Sequence, residues 1–97
     1  MPATSAWPVS FLMPGSWYVY IVRCADRTLY TGVARDLGAR LKAHNAGRGA
    51  KYTRARLPVK LVYQETVENR SAAQRREHAI KRLSRAEKRA LAKRGVS

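Results

Sequence analysis

The chain has 97 residues, with 20 lysines and arginines against 6 acidic residues, which gives a formal net charge of +14. A chain of this length holds one small domain with one core, and such an excess of cations predicts a polyanionic partner. Among residues 1–34 only Arg23, Asp26 and Arg27 are charged, so the basic surface belongs to the later elements.

The number of cysteines and the length of the apolar runs limit the cellular locations that fit this chain. Cys24 is the only cysteine, which excludes an internal disulfide and a zinc site built on several thiolates. No apolar run approaches the ~20 residues that a membrane helix needs. Residues 1–16 lack the basic start of a signal peptide, and Pro8 and Pro14 interrupt their apolar stretch. We therefore predict a reducing, cytoplasmic location and no membrane partner.

Residues 1–16 contain no charged side chain and precede a strand that could itself begin a domain. We interpret them as an N-terminal extension and residues 17–97 as a single domain with basic C-terminal helices. Two interpretations of the extension stay open: it lies loose, or Trp7 and Phe11 dock on the domain.

The first elements predicted after the extension are a hairpin and a helix. Residues 17–24 and 28–33 are rich in aromatic and β-branched side chains and are separated by the turn-favouring Asp26, which predicts a β-hairpin. Asp36 is a suitable N-cap, and the apolar spacing that follows it predicts a first helix over residues 37–46.

The second half of the chain continues with a strand and two helices. Residues 51–56 could form one further helical turn, and the apolar alternation of residues 59–67 predicts a third strand. Ser71 with Gln74, and Ser84 with Glu87, match capping boxes and predict helices that start at those serines. The resulting order, β-β-α-β-α-α, predicts an α+β fold in which helices pack against a small antiparallel sheet.

Tyr20 and Tyr30 lie on the two strands of the predicted hairpin. If Cys24 opposes Tyr30, both phenols face the same side of the sheet; if Arg23 does, they face opposite sides. Strand tyrosines also commonly serve only as packing residues with a hydrated hydroxyl, which is the structural alternative for both.

Three further candidate catalytic residues lie on the predicted helices. Arg40 and His44 are four residues apart and share one helix face, although a solvated arginine and an isolated histidine would give the same pattern. Glu77 is the only acidic residue between Arg70 and Arg85, and it aligns with apolar positions of its helix rather than with the exposed face. Its structural alternative is a salt bridge to Lys81.

The glycine-containing loop after the first helix is a candidate nucleic-acid contact. Its cations could follow a phosphate backbone, and its tyrosine could stack on a base, while solvated surface charge is the alternative. The residues predicted to bind nucleic acid are Arg48, Lys51, Tyr52, Arg54 and Arg56, together with Lys81. The basic final helix, residues 85–94, is a weaker candidate.

The run Tyr18-Val19-Tyr20, followed ten residues later by Tyr30-Thr31-Gly32, resembles the two halves of the GIY-YIG nuclease signature. Arg40 and Glu77 match the helix arginine and the metal-binding glutamate of that family. The resemblance covers residues 17–83 and is closest to the small stand-alone bacterial members. The chain departs from the pattern at three positions, where Tyr18 replaces a glycine, Thr31 replaces an isoleucine and Arg27 stands where related hairpins often have glycine.

This resemblance implies a three-stranded antiparallel sheet flanked by helices and metal-dependent hydrolysis of phosphodiester bonds, with DNA favoured over RNA and DNA repair as a setting. Glu77 would be the sole protein ligand of one Mg or Mn ion, and Arg40 would bind the phosphate. The resemblance leaves open which phenol is the general base; we favour Tyr20, with Tyr30 placing the water or the phosphate. His44 would accept a proton or contact the phosphate. Nearby cations are expected to lower the pKa of the phenol that acts as base.

Two other functions are compatible with the same residues. The chain could be a nucleic-acid-binding module on a nuclease-like fold that has little turnover, or that needs a protein partner for targeting. It could also be a basic structural protein associated with RNA, for which the net charge is the main support.

Overall fold

The computed structural model describes residues 16–94. They form one three-stranded sheet and four helices, so the predicted α+β class is confirmed. The strands are β1 (Trp17–Arg23), β2 (Leu29–Ala34) and β3 (Lys60–Val67), and the helices are α1 (Leu37–Asn45), α2 (Lys51–Arg54), α3 (Arg70–Lys81) and α4 (Arg85–Lys93). Helix α2 adds one element to the predicted order, at the further turn that the sequence allowed. The predicted docking of Trp7 and Phe11 lies outside the described residues.

The sheet has the order β2-β1-β3, and both pairings are antiparallel. Because side chains alternate along a strand, the central strand β1 presents two different surfaces. Tyr18, Tyr20 and Val22 point into a cluster with Leu37 of α1, which we call the α1 face. The intervening residues of β1, such as Ile21, point to the opposite surface, which α3 and α4 cover and which we call the α3–α4 face. No helix within residues 16–94 has the length and apolarity to span a membrane.

The hairpin register places both tyrosines on the α1 face. Tyr20 lies opposite Gly32, and Tyr30 lies opposite Val22 rather than opposite Cys24 or Arg23, so neither of the two predicted registers occurs. Val22 nevertheless shares its face with Tyr20, and the two phenols therefore point to the same side. The turn accommodates Arg27 in the left-handed region, at φ 70°.

Side-chain caps determine where the helices start. Asp36 accepts a hydrogen bond from the Ala39 amide at the start of α1, and Ser84 forms the predicted capping box at the start of α4. The prediction that the intervening helix starts at Ser71 is wrong, because Asn69 caps it and accepts from the Ala72 amide at 2.8 Å. Asn is among the strongest N-cap residues, and Ser71 instead accepts a hydrogen bond from Arg75.

Helix α3 is held by apolar contacts on the α3–α4 face. Ala73 and Ile80 are fully buried in the same cluster as Ile21, as the helical spacing predicted. The helix packs against β1 and β2. Since β2 is an edge strand, this packing brings Glu77 to the edge of the sheet on which Tyr30 lies.

Candidate active site at the edge of the sheet

Tyr20 is the centre of a buried polar network. Its side chain is fully buried, and its hydroxyl lies 2.9 Å from Nε2 of His44 on α1. Arg40, one helical turn before His44, donates from Nε to the same hydroxyl at 3.4 Å. The predicted pair on α1 therefore converges on one phenol oxygen.

Thr53 determines the tautomer of His44. The threonine hydroxyl donates its only proton to the Ala50 carbonyl at 3.0 Å, so it can only accept from His44 Nδ1, which lies 2.9 Å away. Nδ1 therefore carries the imidazole proton, Nε2 is the acceptor, and Tyr20 donates to it. Sequence reasoning missed Thr53, because only the packing of α2 beside α1 places it there.

Two glycines make room for this network. A Cβ on Gly32 would lie 2.6 Å from the Tyr20 hydroxyl oxygen, and a Cβ on Gly49 would collide with the His44 ring. Neither position tolerates a side chain unless the network moves. Gly32 belongs to the signature that the sequence displayed, whereas Gly49 carried no signal beyond its place in a loop.

Burial controls the ionisation of the network. Burial raises the pKa of Tyr20 above its usual range, and this outweighs the hydrogen bond and positive charge of Arg40, which act in the opposite direction. The predicted lowering of the phenol pKa by cations is therefore wrong for Tyr20. Burial and, after it, the charge of Arg40 lower the pKa of His44. Both groups are neutral at pH 7.

Tyr30 differs from Tyr20 in the freedom of its hydroxyl. The ring is half-buried, and it contacts His44 edge-on with 5.6 Å between ring centroids. The Tyr30 hydroxyl makes no hydrogen bond within residues 16–94, and it is not among the buried polar atoms that lack a partner there. It is therefore open to solvent, whereas the Tyr20 hydroxyl is enclosed and already engaged.

Glu77 forms an ion pair with a lysine that lies beside Tyr30. Its carboxylate, on a side chain that is only 19% exposed, forms an ion pair with Lys81 at 3.2 Å, so the structural alternative predicted for Glu77 is present. The same Lys81 ammonium lies 5.9 Å from the centroid of the Tyr30 ring. The ion pair therefore lies beside Tyr30, and Glu77 is close enough to contribute, after burial, to the raised pKa of Tyr20.

The loop residues predicted to bind nucleic acid divide into two groups. Arg56 is engaged, because it pairs with Asp26 at 3.0 Å and its guanidinium lies 4.0 Å from the centroid of the Tyr52 ring. Tyr52 is 39% exposed and also stacks on Tyr30, so its ring is partly occupied. The remaining cations have exposed side chains without a hydrogen bond or ion pair to the described residues; they are Arg48 in the loop and Lys51 and Arg54 in α2.

Comparison with known proteins identifies the family. Residues 16–90 match the model of the GIY-YIG catalytic domain, which covers most of the chain and all five candidate catalytic residues. The chain therefore belongs to the GIY-YIG family of nuclease domains, and the resemblance seen in the sequence is confirmed.

Within that family the chain is similar to small proteins named UPF0213. It is 54% identical over 79 residues to one from Desulfotalea psychrophila (80% of this chain, 72% of the relative), and 55% identical over 79 residues to one from Haloquadratum walsbyi (81% and 89%). The solution structure of the UPF0213 protein from Bacillus halodurans is 42% identical, with a TM-score of 0.53, and the match covers 80% of this chain and 83% of that one.

Proposed function

We propose that the protein is a divalent-metal-dependent nuclease that hydrolyses phosphodiester bonds of nucleic acid, DNA more than RNA, by direct attack of water. The observation that carries the proposal is the joint placement of Arg40 and Tyr30 by one buried network, beside a shielded carboxylate. A buried network whose members are hydrogen-bonded to one another is rigid, so it holds Arg40 in a defined geometry and fixes the His44 ring on which Tyr30 packs.

Arg40 is suited to bind the phosphate that is attacked. Its Nε is anchored to the Tyr20 hydroxyl, while the side chain is exposed and its two terminal nitrogens make no hydrogen bond to the described residues. The hydrogen bond to Tyr20 raises the pKa of the guanidinium further, so the charge is permanent. An anchored guanidinium can donate two parallel hydrogen bonds to phosphate oxygens and stabilise the charge that develops in the transition state.

Tyr30 is the phenol that we assign to the attacking water. Its hydroxyl is open to solvent, so it can exchange its own proton with bulk water and receive one from the nucleophile. The Lys81 ammonium, which pairs with Glu77, lies 5.9 Å from the centroid of the Tyr30 ring, so Tyr30 and Glu77 share one site. Tyr20 is enclosed and donates to His44, so we place Tyr20 and His44 behind the site, where they hold Arg40, rather than against the substrate.

Glu77 fits a single divalent cation. Lys81 contacts its Oε2, and Oε1 makes no hydrogen bond within residues 16–94. No group of three or more His, Cys, Asp or Glu side chains occurs in this part of the chain, so water and phosphate oxygens would complete the shell, as Mg tolerates. When bound, such an ion would polarise the phosphate and neutralise the leaving oxygen.

The exposed cations Arg48, Lys51 and Arg54 would contact the backbone that flanks the scissile phosphate. Stacking of a base on Tyr52 would require Arg56 or Tyr30 to move from its ring. We further propose that the protein works in the cytoplasm, a setting that fits a chain with a single cysteine, and that a protein partner directs this small domain to its substrates.

The experiment compares Glu77→Gln with Glu68→Gln, an exposed acid outside the site, on labelled single-stranded, duplex and branched DNA and on RNA with Mg or Mn. Glu77→Gln should lose at least about 100-fold in cleavage rate, equivalent to about 2.7 kcal/mol of barrier, while Glu68→Gln retains wild-type activity. Chelation should abolish cleavage. Cleavage that survives both Glu77→Gln and the chelator would refute the metal mechanism.

A second function is favoured by one observation, the neutralisation of Glu77 by Lys81. In a nucleic-acid-binding module without turnover, this ion pair would be permanent and structural. Absence of cleavage on every substrate, combined with salt-dependent binding that Glu77→Gln leaves unchanged, would establish the binding module in place of the nuclease.

A further inference from the structure

A concave cavity of about 680 Å³ opens at the turn end of the hairpin. Four cationic side chains line it, above a floor that includes Cys24, Leu29 and Pro58. We call it the hairpin pocket; its cations are Arg23, Arg27, Lys60 and Arg89. We propose that the hairpin pocket is a second binding site for the phosphate backbone of nucleic acid, separate from the active site.

The sheet register brings like charges together in this pocket. In the antiparallel pairing, Arg23 of β1 lies directly opposite Lys60 of β3. Such neighbours have Cβ atoms about 5 Å apart, and like charges at this position destabilise a sheet. Arg89 of α4 and Arg27 of the turn line the same concavity. An anion bound from outside would relieve this repulsion.

No acidic side chain of the domain compensates these four cations. All six acidic residues lie within the described part of the chain, and none lines the pocket. Three of them are committed to other cations, in the pairs Asp26–Arg56, Glu65–Arg76 and Glu77–Lys81. The four pocket cations make no ion pair within residues 16–94. The pocket is therefore a positively charged concavity that no acidic side chain lines, which suits a phosphate group.

The hairpin turn connects the pocket with the active site. Asp26 in the turn pairs with Arg56, whose guanidinium lies over Tyr52, and Tyr52 stacks on Tyr30. The pocket lies at the turn end of the sheet, where its lining takes Cys24 from the α1-face cluster and Leu29 from the α3–α4-face cluster. Tyr30 follows Leu29 on β2 and belongs to the α1 face. Residues 16–94 extend over 31 × 28 × 24 Å, and the longest of these dimensions corresponds to about nine base-pair steps of 3.4 Å. One nucleic acid, or two arms of a branched one, could therefore reach both sites.

The choice of nucleic acid as the ligand rests on the proposed function, whereas the pocket itself does not. The test therefore measures binding without catalysis, on the full chain with a chelator present. Lys60→Gln/Arg89→Gln removes two pocket cations. Arg70→Gln/Arg85→Gln removes two exposed cations from the first turns of α3 and α4, outside the pocket, and serves as the charge-matched control.

Affinity for labelled duplex DNA is measured against salt concentration. Each lost phosphate contact should reduce the magnitude of the slope of log K against log salt by about 0.9. The pocket variant loses two contacts, so its slope should be smaller by about 1.8, and it should bind DNA about 10-fold or more weakly at low salt. The control variant should keep most of the wild-type slope. If both variants lost affinity and slope equally, the effect would come from net charge alone and the proposal would be overturned. Unchanged DNA binding by the pocket variant would overturn it as well.

Polyglutamate is the competitor that tests the other class of ligand, because an acidic polypeptide could also bind to a basic pocket. Polyglutamate and unlabelled DNA are compared at equal concentrations of negative charge. If polyglutamate displaces labelled DNA from the wild type at the lower concentration, and does not do so from the pocket variant, then an acidic polypeptide is the better ligand and the proposal fails. Cleavage is scored separately. A protein without cleavage whose pocket variant loses DNA binding would refute the nuclease while retaining the second site.

Discussion

The two faces of the central strand differ in the side chains that surround Tyr20 and Ile21. On the α1 face, Tyr20 is buried with His44 and Thr53, and all three are joined by hydrogen bonds. On the α3–α4 face, Ile21 is buried among apolar side chains such as Ile80. Buried polar groups stabilise a fold only when every one is paired, so an apolar core is the simpler solution. The difference places the hydrogen-bonded network of Tyr20 on the α1 face, beside an apolar cluster, whereas α3 and α4 pack on the opposite face through apolar side chains.

The largest expected effect separates the two phenols of the α1 face. Tyr30→Phe removes the open hydroxyl and should reduce the cleavage rate by about 10²–10⁴-fold with little change in stability. Tyr20→Phe leaves His44 Nε2 without its donor and should lower the free energy of unfolding by about 1–3 kcal/mol, with a smaller loss of rate. Single-turnover cleavage and urea unfolding of both variants measure this comparison.

The same pair of variants can reverse the assignment. If Tyr20→Phe loses the greater part of the rate and Tyr30→Phe keeps activity, then the enclosed phenol is the base and the network must open when substrate binds. A rate loss in Tyr30→Phe that increasing substrate concentration overcomes would indicate a role in binding rather than in activating water.

Thr53→Val tests how much the hydrogen bond between Thr53 and His44 contributes to the α1 face. It keeps the shape of the side chain but removes the acceptor for His44 Nδ1–H, so the free energy of unfolding should fall by about 1–3 kcal/mol. The ¹⁵N spectrum of His44 should show the Nδ1–H tautomer in the wild type and lose this single form in the variant. Cleavage should fall as Arg40 loses its fixed position.

Two controls accompany this variant. Thr53→Ser restores the hydroxyl and should recover the tautomer and most of the activity. Ile80→Val, on the α3–α4 face, should cost about 0.5–1.5 kcal/mol without changing the tautomer. If Ile80→Val alters the His44 spectrum as much as Thr53→Val does, the two faces are not independent.

The smallest expected effect concerns pH. The pKa of His44 is lowered in the folded protein, so the unfolded chain binds more protons as the pH falls through about 6.5. The stability contribution of neutral His44 is complete above that pH and is lost as the pH falls towards the folded-state pKa, by at most about 1.4 kcal/mol per pH unit.

Denaturant unfolding between pH 5 and 8 measures this dependence. His44→Gln should have a shallower slope than the wild type. His78→Gln, which changes the chain's other histidine at an exposed position, should keep the wild-type slope. Equal slopes in the wild type and His44→Gln would show that His44 does not carry the pH dependence.

Local sequence signals predicted much of this architecture. Asp36 and Ser84 cap helices where expected, because a cap depends only on a few neighbouring residues. The prediction failed at Ser71, where two good caps stand two residues apart and Asn69 is used. The register of the hairpin was also missed, since it depends on a turn in which Arg27 adopts a positive φ.

The amino-acid pattern alone determines the order of the elements other than α2, the excess of positive charge and the spacing of the five candidate residues, because these depend on position along the chain. The five are Tyr20, Tyr30, Arg40, His44 and Glu77. Only the tertiary structure decides which phenol is open, which nitrogen of His44 carries the proton and which cations surround the hairpin pocket. These properties depend on burial and on distances between segments far apart in sequence. A residue such as Thr53 gains its role only when α2 packs against α1.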